Sequence, residues 1–259
     1  MATVKAPVTI LEQAAITDSV TTAAVAQEVS VLRWGGIAGV IGAVIFVCSI
    51  VFQVAFIGTK TTAAGAGPVI NFPGIRNEII VGQTLFLAGT VLLMPLFLAL
   101  YRSLRRSSLA PAIFGTGLSF LGLAVLAVES EPNVAMAPIS DSYHAAGATA
   151  AQQASAVQLW QATQGMFNQF DTCAYIFLSI GFIFLGLAML RSPSFRNVFG
   201  WAIAAFGVAG LIGVALFAVT SGTFAVFALL TFVIFPLLIG WKVYGLSRAS
   251  PPGAPATAA

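Results

Sequence analysis

The chain has 259 residues, of which 59% are hydrophobic and only 7% charged, where a soluble domain carries roughly a quarter charged residues. A soluble fold of this size has too little interior to hide that much apolar surface, so composition excludes an ordinary water-soluble globule. The net charge of +3 is spread as single basic residues or small groups beside apolar blocks. That pattern excludes a basic nucleic-acid-binding surface and reads as membrane topology.

Residues 1–32 are polar, rich in Ala, Thr and Val, and lack the basic start, short apolar stretch and cleavage site of a secretory signal. They are expected to form a retained, flexible cytoplasmic tail. Six apolar blocks follow, at about 34–57, 79–101, 109–128, 166–190, 199–219 and 224–244. Each reaches the roughly 20 residues that a helix needs to cross a hydrocarbon core of about 30 Å. Barrel strands would alternate polar with apolar residues, and no such alternation occurs, so the blocks are helices. The expected fold class is an all-α membrane protein, a six-helix transmembrane bundle over residues 33–248. Pro95 and Pro236 lack the amide of a helical ladder and predict local kinks in the second and sixth spans. Residues 249–259, rich in Pro and Ala, are expected to be a disordered cytoplasmic tail.

Orientation follows from counting basic residues on each side of the spans. Lys5, Arg33, Arg102, Arg105, Arg106, Arg191, Arg196, Lys242 and Arg248 fall on the side of both termini, against Lys60 and Arg76 opposite. The positive-inside rule then predicts a multi-pass protein of the cell membrane with both termini cytoplasmic. Acidic residues lean the other way, with Glu78, Glu129, Glu131, Asp141 and Asp171 outside and Glu12, Asp18 and Glu28 inside. Two long outer loops are expected, 58–78 and 129–165. The second is rich in Ala, Gln and Ser from Ala145 onward, so the fourth helix is expected to project beyond the membrane before Trp160 reaches the interface.

One segment combines polarity with helical spacing. Gln161, Gln164, Asn168, Asp171 and Tyr175 recur at intervals of three or four and form one stripe at the start of the fourth span. Asp171 would lie roughly 8 Å inside the apolar boundary if the span begins near Met166, and an ionisable group at that depth marks a functional site by default. Arg76, Glu78 and Gln83 on the second span, Gln53 on the first and Glu129 on the third enter from the same side. Together they could build an outer polar pocket. A carboxylate facing Asp171 would raise one carboxyl pKa, as proton-coupled transport or acid catalysis requires. Facing Arg76 instead, the pair would be structural. A boundary one turn later would leave Asp171 at the headgroups.

Other groups offer less chemistry. His144 is the only histidine and falls in an outer loop, so a haem carried by histidine ligands is not expected, and neither is a metal site or other cofactor. No Walker-type loop, HExxH pair or GxSxG elbow is present. Cys48 and Cys173 fall at similar depths, where a bridge is conceivable and two inert buried thiols are the plainer reading. Gly35 and Gly39, Gly200 and Ala204, and Gly207, Gly210 and Gly213 give small helix faces for packing in the bundle or for a homo-oligomer or membrane partner. Trp34, Trp160, Trp201 and Trp241 fit an aromatic belt at the interfaces.

Ala99-Leu-Tyr-Arg-Ser103 and Ala188-Met-Leu-Arg-Ser192 end two spans alike. The echo fits either a duplicated hairpin or the basic stop that any inward-running helix needs. The segment Leu185-Gly-Leu-Ala-Met-Leu-Arg-Ser-Pro-Ser-Phe-Arg-Asn-Val-Phe-Gly200, with the opening Arg33-Trp-Gly-Gly-Ile-Ala-Gly39, resembles the bacterial six-helix membrane proteins of domain-of-unknown-function family 4386. The resemblance spans roughly residues 30–248, implies a six-helix architecture, and brings no activity or site residue with it. Three functions stay open: a non-catalytic subunit or small-molecule or lipid-binding protein, a small-solute transporter using the pocket around Asp171, and a membrane enzyme using the outer carboxylates. No catalytic residue is assigned.

Overall fold

A computed structural model describes residues 10–57, 66–129, 132–195, 197–217 and 230–249, and its described residues are helical, without strands. The elements are α1 (Ile10–Phe52) with a closing π turn (Gln53–Ile57), α2 (Gly67–Asn71) and a 3-10 turn (Phe72–Gly74), then α3 (Arg76–Leu104) and α4 (Leu109–Glu129). They continue with α5 (Pro132–Tyr143), α6 (Ala150–Leu190), α7 (Asn197–Phe217), a π turn (Leu230–Ile234) and α8 (Phe235–Ala249). Six stretches are long and apolar enough to cross a membrane: Ala23–Ile57, Arg76–Leu104, Leu109–Val128, Ala150–Leu190, Asn197–Leu216 and Thr231–Ala249.

Three boundaries differ from the sequence expectation. The flexible tail assigned to residues 1–32 is helical from Ile10, because no Gly or Pro interrupts the chain between Pro7 and Gly35 and a helix once nucleated extends cheaply. The 129–165 loop folds as α5 and the first part of α6, and the 58–78 loop holds α2, its 3-10 turn and the start of α3. The ends of the fifth span and the start of the sixth, together with the tail after Ala249, lie outside the described residues. Pro95 sits within an unbroken α3, whereas Pro236 is the second residue of α8, just after the π turn. Its missing amide withdraws the partner of the Phe232 carbonyl, at the point where the wider winding changes to α.

The six spans form two antiparallel trios. α1 packs between α3 and α8, α6 packs between α4 and α7, and α3 meets α4 where the trios join. In lipid, apolar side chains gain little by leaving one apolar surface for another, so close contact must hold the helices together. Glycines supply it. A Cβ on Gly36 would come within 2.7 Å of the Gly240 carbonyl, and one on Gly186 within 2.5 Å of the Ala204 amide and 2.7 Å of the Gly200 carbonyl. Gly115 and Gly122 of α4 lie equally tight against Leu185 and Leu178 of α6. Ser119 and Ser179 serve here by their size, since both are buried with hydroxyls that find no partner among the described residues.

An aromatic cluster joins the trios. The Phe182 ring lies 4.5 Å from Phe235, 5.7 Å from Phe206 and 6.2 Å from Phe97, while Phe46 stacks on Phe232 at 4.6 Å. Offset ring pairs add roughly 0.5–1.5 kcal/mol each beyond their buried area, and these tie α1, α3, α6, α7 and α8 into one core. We expect Gly186→Ala to cost about 1–3 kcal/mol by overpacking. Gly117→Ala, which meets open space, should be neutral or stabilising by under ~1 kcal/mol. Reversible unfolding in bicelles reads both; equal effects would contradict the assigned contact.

Candidate binding site

The end of the bundle opposite the termini carries a small helical cap. Ile57, Val69, Phe72, Ile75, Ile79, Met136, Ile139, Ala156 and Trp160 bury one another there, as a cluster separate from the main core. Two polar features fasten it. Ser140 of α5, fully buried, donates its hydroxyl to the Val69 carbonyl at 2.8 Å. Gly147, at φ +84°, turns the chain from α5 into α6, whose first turn closes with a reciprocal cap: the Gln152 amide donates to Thr149 Oγ1, and the Thr149 amide donates to Gln152 Oε1. α6 then runs 41 residues, about 61 Å at 1.5 Å per residue, roughly twice a hydrocarbon core.

The first arginines at the other end give a mark from which to count along the helices. Arg102 and Arg191 stand at the ends of α3 and α6, and Arg33 lies within α1. Counting the roughly 20 residues of one crossing from each, the opposite boundary falls near Gln53, Gly82 and Asp171. On α4 the same count from Leu109 reaches Glu129. Counted from Arg191, a crossing of roughly 20 residues ends at Asp171; counted from Met166, Asp171 lies inside it.

The expected pocket residues take different surroundings. Gln161, Gln164 and Asn168 are exposed, and the Gln164 amide donates to Asn168 Oδ1 at 3.2 Å. Asp171 is half-buried and engaged in a polar interaction. Tyr175 turns inward, 3% exposed, with its ring edge-on to Phe232 at 5.9 Å. Arg76 reaches Asp141 of α5 at 3.9 Å, both side chains open to solvent, an exposed pair that contributes at most about 1 kcal/mol. Glu78 and Gln83 are half-buried on α3. The side chain of Glu129 lies outside the described residues. Gln53, at the α1 π turn, donates to Ser49 Oγ at 3.0 Å, and Ser49 donates to the Gly82 carbonyl at 3.0 Å. That relay locks α1 to α3, and it fits because Gly82 has no side chain: a Cβ there would touch Gln53 Cγ at 3.0 Å.

His144 Nδ1 lies 2.9 Å from the Ser140 carbonyl, and its ring meets Tyr143 edge-on at 5.0 Å. Among the described residues no three His, Cys, Asp or Glu side chains converge on a metal position. Cys48 and Cys173 are free and exposed, which replaces the expectation of buried thiols. Trp34, Trp201 and Trp241 are exposed at the basic end, as a belt requires, but Trp160 is buried in the cap.

The cap holds a cavity of about 560 Å³ between α5 and α6, with Pro138, Ile139 and Ser142 on one wall and Gln152, Ser155 and Leu159 on the other. Sequence reasoning missed this site, having read 129–145 as loop. Its signal was present in Met136, Ile139 and Tyr143, apolar at intervals of three and four.

The family described as "Domain of unknown function (DUF4386)" matches residues 37–246. The chain belongs to that family. No curated protein and no solved structure matches it. The part matched to DUF4386 begins within α1 and ends within α8, so it takes in the cap and the glycines of α3, α4, α6, α7 and α8, while Glu28, Leu32, Gly35 and Gly36 precede it.

Proposed function

We propose that this membrane protein is non-catalytic and binds a small lipid-like molecule in the cap cavity. The observation that carries this reading is the α5–α6 cavity itself. Its volume of about 560 Å³ suits a single ligand. Its walls combine apolar Ile139, Pro138 and Leu159 with the polar tips of Ser142 and Ser155, the pairing an amphipathic ligand needs. It also lies beside the boundary counted from the arginines, within reach of molecules leaving the bilayer. The residues first suspected of forming a polar pocket support catalysis or transport less well, since Gln164 and Asn168 are exposed and bond to each other and Asp141 takes Arg76.

The reading is tested by titrating a fluorescent long-chain fatty acid onto the full chain in detergent. Ser155→Trp, which fills the cavity from an exposed position, should weaken binding at least about tenfold, or about 1.4 kcal/mol, while Asp171→Asn leaves it unchanged. Equal binding by Ser155→Trp and the parent would remove the reading.

The same reading takes the membrane as the cell membrane and both termini as cytoplasmic, supported by the charge count of nine basic residues against two. After Cys48 and Cys173 are replaced by Ser, a membrane-impermeant maleimide on intact cells should label Ala146→Cys in the cap and spare Ser194→Cys. The reverse pattern would invert the topology.

A further inference from the structure

At the basic end, Glu28 and Leu32 of α1, the ends of α3 and α8 and the turn between α6 and α7 line a second cavity of about 420 Å³. Its polar lining is Glu28, Ser103, Arg106, Ser107, Ser192 and Ser194. These groups divide by what they can still do. The Ser103 and Ser107 hydroxyls already donate to the Leu100 and Leu104 carbonyls at 2.8 and 3.0 Å, so towards the cavity they can only accept. Glu28 accepts one bond, from Arg106 Nη2 at 2.7 Å, and a carboxylate has room for several more. That makes an acceptor set of one carboxylate and two hydroxyls.

The donors lie beside it, Arg106 being bonded to Glu28. Ser192 is 5% exposed and lines the cavity. Ser194 beside it is exposed. Arg106 spends one nitrogen on Glu28 and keeps the rest of its five N–H groups. Leu32 and Leu246 give the cavity an apolar side, at the end of the bundle that carries Arg33, Arg102 and Arg191.

We propose that this cavity binds a phosphate ester that carries a primary ammonium group, the chemistry of a phosphoethanolamine headgroup. The phosphate takes Arg106, Ser192 and Ser194, and the ammonium donates its three N–H bonds to Glu28, Ser103 and Ser107. A choline headgroup has no N–H to offer the acceptor set, and a glycerol headgroup brings no positive charge to Glu28. The site does not depend on the cap cavity, whose failure would leave it standing.

The test is binding of short-chain phosphatidylethanolamine, phosphatidylcholine and phosphatidylglycerol to the full chain in detergent, followed by native mass spectrometry. The ethanolamine lipid should be retained about tenfold more than either other lipid, and Glu28→Gln should erase that preference. Ser192→Ala should lower ethanolamine-lipid binding about tenfold, the loss expected for a hydrogen bond to a charged group. Ser194→Ala, at an exposed position, gives a smaller drop in the same direction even if Ser192→Ala fails to fold. Competition by millimolar soluble phosphoethanolamine would support the site and assign it to a free ester; lack of competition alongside ethanolamine-lipid preference would support it and assign it to the bilayer. Equal retention of the three lipids would overturn the proposal.

Discussion

Helices already inside a bilayer gain almost nothing from hiding apolar side chains, so this bundle depends on how closely its backbones can approach. Glycine sets that distance. Gly36 against Gly240, Gly42 against Gly89, Gly115 against Leu185 and Gly186 against Gly200 and Ala204 line the α1–α8, α1–α3, α4–α6 and α6–α7 contacts. Each trio therefore has a central helix, α1 or α6, whose two flanks are cut narrow by small residues. Larger side chains are kept for the place where the trios meet, and there the rings of Phe97, Phe182 and Phe235 fill the gap.

The two ends of the bundle follow from that arrangement in different ways. At the cap end α6 continues past the membrane level, and its exposed start needs something to cover it. α5 does so, with Met136 and Ile139 buried together with Ala156 and Trp160 and with Ser140 bonded to α2. At the basic end α3 and α6 stop close to Arg102 and Arg191, and the short turns leave a hydroxyl-lined gap that Glu28 reaches from α1, which runs on past it. One cavity thus lies in the cap and the other at the basic end.

The spans were legible because block length and the basic residues at their ends act locally. Gly35, Gly39 and Gly207 were legible as packing residues, though which helix each would meet was not, since composition does not name a partner. Tyr175 was misread for the same reason: spacing put it on a stripe with Asn168 and Asp171, but the neighbouring Phe232 drew it inward. The depth of Asp171 depended on where the span was taken to begin; starting from Arg191 instead of Met166 moves it to the boundary. The cap was the least legible part, because Phe72, Met136 and Trp160 lie far apart in sequence and only tertiary packing gives them a common purpose.

The dependence on close backbone approach is tested most directly at Gly42 and Gly89, where an added Cβ on either would come within 3.1–3.2 Å of the other's carbonyl. A double-mutant cycle with Gly42→Ala and Gly89→Ala, read by reversible unfolding in bicelles, measures whether they share one contact. The account predicts that the first substitution forces α1 and α3 apart, so the double variant loses clearly less stability than the sum of the single losses. Strict additivity would contradict it.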